Sequence, residues 1–143
     1  MKTRAIRKED IQNNWFIIDA TDTRLGKLAS KAAEILIGKH KVNATSNLNS
    51  GDYVVVINCA KLSVHPKRVN KKKYYRHSGY IGSLKEETLR ELLHRKPEEV
   101  VIKAVKGMLP KNKIQDKMLK RLFVYQGADH KHEAQKPIKI NVK

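Results

Sequence analysis

WFIIDATDTRLGKLASKAAEILIG, residues 15–38, decides the fold, because its hydrophobic period changes once along its length. Trp15, Phe16, Ile17, Ile18, Asp19 and Ala20 form a short, mostly apolar run, which predicts a central strand buried on both faces. Thr21, Asp22 and Thr23 then offer capping oxygens. Leu25, Leu28, Ala29, Ala32, Ile35 and Leu36 keep helical spacing until Gly38 ends the helix. Arg24, Lys27 and Lys31 fall on its other face. A second apolar run, Tyr53–Ile57, follows a polar turn at Asn49, Ser50, Gly51 and Asp52. A helix between two such strands predicts a right-handed crossover joining parallel neighbours, a βαβ unit.

Outward from this unit, extended segments around residues 62–64 and 73–76 are expected to add edge strands, giving a mostly parallel sheet of about four. Ser83 precedes Glu86 by three residues, a capping-box spacing, and Leu84, Leu89, Leu92 and Leu93 continue it into a helix that ends before Pro97. Pro97, Glu98 and Glu99 suit the start of the next helix. Its apolar face carries Val100, Val101, Ala104, Val105 and Met108, and Gly107 and Pro110 are expected to stop it. Ile114, Met118, Leu119 and Leu122 predict a short helix leading into Phe123, Val124 and Tyr125. The expected architecture is one α/β domain over residues 1–143, a three-layer α/β/α arrangement, with an N-terminal extension at 1–14 and an irregular basic tail at 128–143.

Composition narrows the partner. Lys and Arg number 31 against 14 Asp and Glu in 143 residues, a formal charge of +17. Such a surface repels itself until a polyanion neutralises it, and nucleic acid is the usual polyanion for a small basic domain. A lipid surface fits the charge, but the chain has no amphipathic anchor and no apolar run of membrane-spanning length. The lone Cys59 excludes an intrachain disulfide and a clustered-cysteine zinc site, and its place after Val56, Ile57 and Asn58 predicts a buried, inert thiol in a reducing cytosol. Residues 1–10 alternate in charge and carry no apolar signal core, so a cytoplasmic protein is expected.

The charge is concentrated. Lys61, Lys67, Arg68, Lys71, Lys72, Lys73 and Arg76 fall in one acid-free segment, interleaved with Tyr74, Tyr75 and His77. Flat rings among cations suit RNA, where bases stack and ammonium or guanidinium groups hold phosphates. The competing interpretation is a solvated edge strand whose lysines prevent aggregation. Ser78, Gly79, Tyr80, Ile81, Gly82 and Ser83 read as a flexible turn entering a helix at Ser83, whose positive end suits a phosphate. Further expected RNA contacts are Arg24 and Lys27 on the first helix, Lys39 and Lys41 after it, Lys106, Lys111, Lys113, Lys120 and Arg121 around the second break, and His130 and His132 in the tail.

Lys106, Gly107, Met108, Leu109 and Pro110, followed in register by Leu122, Val124, Tyr125 and Gly127, resemble the signature of the bacterial-type large-subunit ribosomal protein thirteen family. The likeness continues in Lys72, Tyr74, Tyr75, His77, Ser78, Gly79, Ile81 and Gly82. It also takes in Trp15, Asp19, Ala20, Leu25, Gly26 and Leu28, Gly38 and Lys39, Gly51, Asp52 and Tyr53, and His130, His132, Gln135 and Pro137, nearly all of residues 15–137. The resemblance implies a three-layer α/β fold, binding to large-subunit ribosomal RNA during assembly, contacts with neighbouring ribosomal proteins, and neither catalysis, cofactor nor small-molecule substrate. Three places depart from the family pattern. Ser46 and Asn47 replace a proline and a histidine, Gln115 and Asp116 replace glycine and arginine, and Lys67 and Arg68 stand where glycine and asparagine are usual. The rival enzyme reading gathers Asp19, Asp22, Asp52 and Asp129 around a divalent metal for phosphodiester cleavage, assisted by His130 or His132. Asp19 and Asp22 equally suit helix entry and Asp52 a Gly-Asp turn, and His130 and His132 lack further zinc ligands.

Overall fold

Strand β1 (Trp15–Asp19) pairs in parallel with β2 (Tyr53–Ile57), and helix α1 (Leu25–Ile37) connects them. The βαβ expectation thus stands in the computed structural model, which describes residues 6–142. Residues 1–5 of the expected N-terminal extension and Lys143 of the expected tail lie outside the described residues. Gly38 ends α1 at φ 84°, its amide donating to the carbonyls of Glu34 and Ile35. The expected caps do other work: the Thr21 amide and hydroxyl both donate to Asp19 Oδ1, at 3.0 and 2.7 Å, which closes a turn at the strand end instead of capping α1.

After β2 come α2 (Pro66–Val69), β3 (Lys73–His77), β4 (Leu84–Thr88), α3 (Leu89–Arg95), α4 (Pro97–Met108), α5 (Gln115–Leu119), β5 (Leu122–Val124) and β6 (Ile138–Ile140). The main sheet has the order β5-β2-β1-β6, all parallel, so β1 and β2 are its central strands. Its outer strands are not those expected. Residues 62–63 make only isolated bridges to Thr21 and Arg24, and β3 joins β4 in a separate antiparallel pair. The edges come from β5 and from β6, which lies inside the stretch expected to be irregular. Ile138 and Ile140 give that short segment the alternation a strand needs, and β1 offers an open ladder beside it.

The helix expected at Ser83 is strand instead. Residues 84–88 pair with 73–77, from Lys73 opposite Thr88 to His77 opposite Leu84, and α3 begins only where the chain leaves this ladder. The capping box is five residues later: Thr88 Oγ1 accepts from the Glu91 amide, and Glu91 Oε2 accepts from the Thr88 amide. Gly107 does not stop α4 either. The helix runs through it to Met108, and Leu109 turns extended, as the residue before Pro110 must.

Ile18, Val54 and Val56 pack with α1, Val101, Val105, Met118 and Leu122 into the main core. The alternate residues face the other way. There Trp15 stacks on Tyr53 at 4.4 Å and on Phe123 at 5.7 Å, and the His132 ring packs beside both Trp15 and Phe123. A smaller cluster of Leu89, Leu92 and Val100 gathers Leu25, Val64 and Tyr74, fixing the β3–β4 arm to α1 and α4. Cys59 is buried, and burial pushes its thiol up to about 11. Among the described residues no helix is long and apolar enough to cross a membrane.

Candidate nucleic-acid interface

Two backbone seams bring the basic segments together. Ser63 accepts from the Leu25 amide at 3.3 Å and donates its own amide to Thr23 at 3.1 Å, so the start of α1 lies against the chain that leads into α2. The Leu89 amide donates to the Lys72 carbonyl at 2.9 Å, which sets the end of that segment beside α3. Between them opens a cleft of about 660 Å³ whose cationic rim is Arg24, Lys27, Arg68, Lys72 and Lys103, with His65 beside them. Leu25, Val64, Leu89, Ala104 and Met108 form its floor, and no acidic residue lines it. A wider opening of about 810 Å³ adjoins it through Lys103 and Gly107 and adds Lys106, Lys111, Lys113 and Gln115. Seven of the residues expected from the sequence to touch RNA, Arg24, Lys27, Arg68, Lys72, Lys106, Lys111 and Lys113, thus line these two adjoining openings, with Lys111 and Lys113 at the far end.

Gln115 has a structural use at this surface. Its Nε2 donates to the Lys106 carbonyl at 3.0 Å and the Leu109 carbonyl at 3.2 Å, satisfying oxygens left open where α4 ends. Asp116 lies in the first turn of α5, where a carboxylate suits the helix dipole, and it does not line either opening. The departure at these two positions therefore leaves the basic surface without an acid.

The tyrosines divide. Tyr74 is half-buried, with the ammonium of Lys72 5.2 Å and that of Lys103 5.0 Å from its ring centroid. It holds two cleft cations by cation–π attraction and offers little ring to a base. Tyr75, on the opposite face of β3, is 62% exposed. Lys73 is paired to Glu86 at 2.8 Å, which raises its pKa, whereas Arg76 stands directly opposite Lys85 with no acid between. Like charges in register destabilise a ladder unless an anion sits over them. Lys71 and His77 are exposed on the same arm, and His77 Nδ1 accepts from the Gly79 amide at 2.9 Å.

Other expected contacts lie apart from the cleft and are partly engaged within the fold. Lys41 pairs with buried Asp52, and Arg121 donates to the Gly51 carbonyl and, at 3.1 Å, to Asn13 Oδ1 while its guanidinium covers the Tyr53 ring. His132 packs 4.4 Å from Phe123 and 4.9 Å from Trp15 and shares a 3.0 Å hydrogen bond with the Tyr125 hydroxyl. Burial, with His130 adding a smaller like-charge effect, holds its pKa below the usual histidine range. His130 Nδ1 accepts from the His132 amide at 3.2 Å. Lys39 and Lys120 are exposed.

The sequence reading passed over His65, whose Nδ1 caps α2 from the Lys67 amide, and Lys103, one turn before Lys106 on α4. The proline after His65 was the available signal for a helix start there. As for the enzyme reading, Asp19 is held by Thr21 and by Asn58 Nδ2 at 3.0 Å; the Thr21 bonds chiefly keep its carboxyl below the ordinary range. Asp52 is occupied by His40 and Lys41. Among the described residues no three His, Cys, Asp or Glu side chains gather as a metal site.

Comparison with known proteins identifies the family. The family model for ribosomal protein L13 matches residues 13–131. The chain is 50% identical to the large ribosomal subunit protein uL13 of Aquifex aeolicus, over 100% of this chain and 99% of that one. It is 49% identical to the protein of the same name from Lawsonia intracellularis and 48% to that from Nitratidesulfovibrio vulgaris, each over 99% of both chains. With the family model matched over residues 13–131 and relatives about half identical over nearly their whole length, the chain belongs to the ribosomal protein L13 family, a family of structural components and not of enzymes.

Proposed function

We propose that this protein is a structural constituent of the large ribosomal subunit in the cytoplasm, where it binds large-subunit ribosomal RNA, contacts neighbouring ribosomal proteins and supports early assembly. The observation that carries the reading is the acid-free cleft shared by α1, the α2 segment and α4. Three separate parts of the chain place cations on one rigid surface, so phosphates of different RNA helices are neutralised at fixed spacing. Arg24, Lys27, Arg68, Lys72 and Lys106, with Lys111 and Lys113, supply this positioning. Lys67, Lys71, Lys73, Tyr75, Arg76 and His77 extend it along the β3–β4 arm, and Lys39, Lys120 and His130 are outlying contacts. Lys41, Tyr74, Arg121 and His132 serve the surface mainly by holding the backbone or neighbouring cations in place.

Subunit reconstitution from purified large-subunit RNA and proteins tests the assembly role. Omitting this protein should arrest particles at an early, slowly sedimenting stage that late addition does not rescue efficiently. Unimpaired particle formation in its absence would reject that role.

A further inference from the structure

The β3–β4 arm ends in a tip that the basic cleft leaves unused. Gly79 and Gly82 take φ of 97° and 75°, where L side chains are strained, and the hydroxyls of Ser78 and Ser83 meet at 2.7 Å. The Ser83 hydroxyl also donates to the Tyr80 carbonyl at 2.7 Å, so the loop is closed by its own hydrogen bonds. From this closed loop Tyr80 and Ile81 stand out, 79% and 106% exposed. Folding gains nothing from holding this pair in water, whereas a fixed, outward ring and branched side chain lose little freedom on meeting a partner.

Charge decides the kind of partner. No acidic residue occurs between Asp52 and Glu86, and Arg76 faces Lys85 across the strands near the tip. A splayed base with its flanking phosphates supplies both the flat face and the anion this frame requires; an uncharged protein pocket supplies no anion. We propose that Tyr80 and Ile81 form a stacking wedge for an unpaired base of large-subunit ribosomal RNA, with Arg76 and Lys85 on its flanking phosphates. This deepens the RNA-binding reading above and rests on it.

The test is binding of the full chain to transcribed large-subunit ribosomal RNA across a salt series, for the unsubstituted protein, Tyr80→Ala and Tyr80→Phe, with retention on large subunits measured alongside. Stacking predicts that Tyr80→Ala loses about tenfold in affinity at every salt concentration with an unchanged salt slope, while Tyr80→Phe binds as the parent does. Parental RNA affinity in Tyr80→Ala overturns the proposal; if retention on the subunit falls at the same time, the tip meets a protein instead. Failure of the broader reading is distinguishable, because the unsubstituted chain would then show no preference for large-subunit RNA.

Discussion

The Lys41 ammonium lies 2.5 Å from Oδ1 of Asp52, a side chain with no exposure to solvent. The same carboxylate takes a 2.7 Å bond from His40 Nε2 and a 2.8 Å bond from the Asn14 amide, and Lys41 also donates to the carbonyls of Gln12 and Ser50. One lysine thus ties the approach to β1 to the approach to β2. A cation engaged this way stabilises the fold before it meets any phosphate.

Lys41→Met should therefore lower unfolding free energy by about 3 kcal/mol, the scale for breaking a buried pair and leaving its partner behind. Urea denaturation gives the value. The salt slope of RNA binding by the folded variant should match the parent; a shallower slope with unaltered stability would assign Lys41 to the RNA instead.

Glycine has opposite uses at two positions. A Cβ on Gly51 would lie 1.8 Å from the Leu36 carbonyl oxygen, a backbone atom that cannot yield cheaply, whereas one on Gly107 would meet nothing within 4 Å. Gly51→Ala should cost about 3 kcal/mol or more and move β2 relative to α1. Gly107→Ala, inside the last turn of α4, should raise stability by about 0.5 kcal/mol. Thermal melts of the two variants should shift in opposite directions.

His132 gives the fold a pH dependence with a defined sign. Its pKa is lowered in the folded protein by burial among Trp15, Phe123 and Tyr125, so below the ordinary value of 6.5 the unfolded chain takes up a proton that the folded one resists. Stability should be level in this respect above that pH and fall as pH drops from it towards the lowered folded value. Asp19, also lowered, adds a separate loss only below about 3.8. Denaturation midpoints at pH 5 to 8 should show the first slope, and His132→Gln should flatten it; an equal slope in that variant would place the titrating group elsewhere.

The cleft cations should differ from their neighbour on the arm. Lys72→Gln and Lys103→Gln should each reduce the log–log salt slope of RNA binding by about 0.7 to 0.9, one phosphate contact apiece. Lys73→Gln should do less, since Lys73 is held 2.8 Å from Glu86, a tighter pair than the 3.5 Å one between Lys103 and Glu99. Equal effects for all three would mean that net charge, and not the cleft, sets the affinity.

Local signals made the centre of the fold legible. The apolar runs of β1 and β2, the helical spacing of α1 and the glycine at its end were all readable because each depends on residues close in sequence. The outer strands were not, since β6 is three residues long and is strand only because β1 lies beside it. Ser83 to Glu86 and Thr88 to Glu91 both fit a capping box, and pairing with β3 chose between them. In the candidate interface, charge marked the right segments, but only folding separated Lys72, which lines the cleft, from Lys41 and His132, which hold the protein together. Tyr80 and Ile81 were readable as a turn, not as an exposed tip on a hairpin.

Cosedimentation with large ribosomal subunits across a salt series tests the central claim most directly. The account predicts stoichiometric retention at salt that strips the protein from free, unrelated RNA, because positioned contacts outlast nonspecific ones, and no RNA cleavage when magnesium is present. Release from the subunit at the same salt as from unrelated RNA would contradict it, as would magnesium-dependent cleavage that Asp19→Asn abolishes.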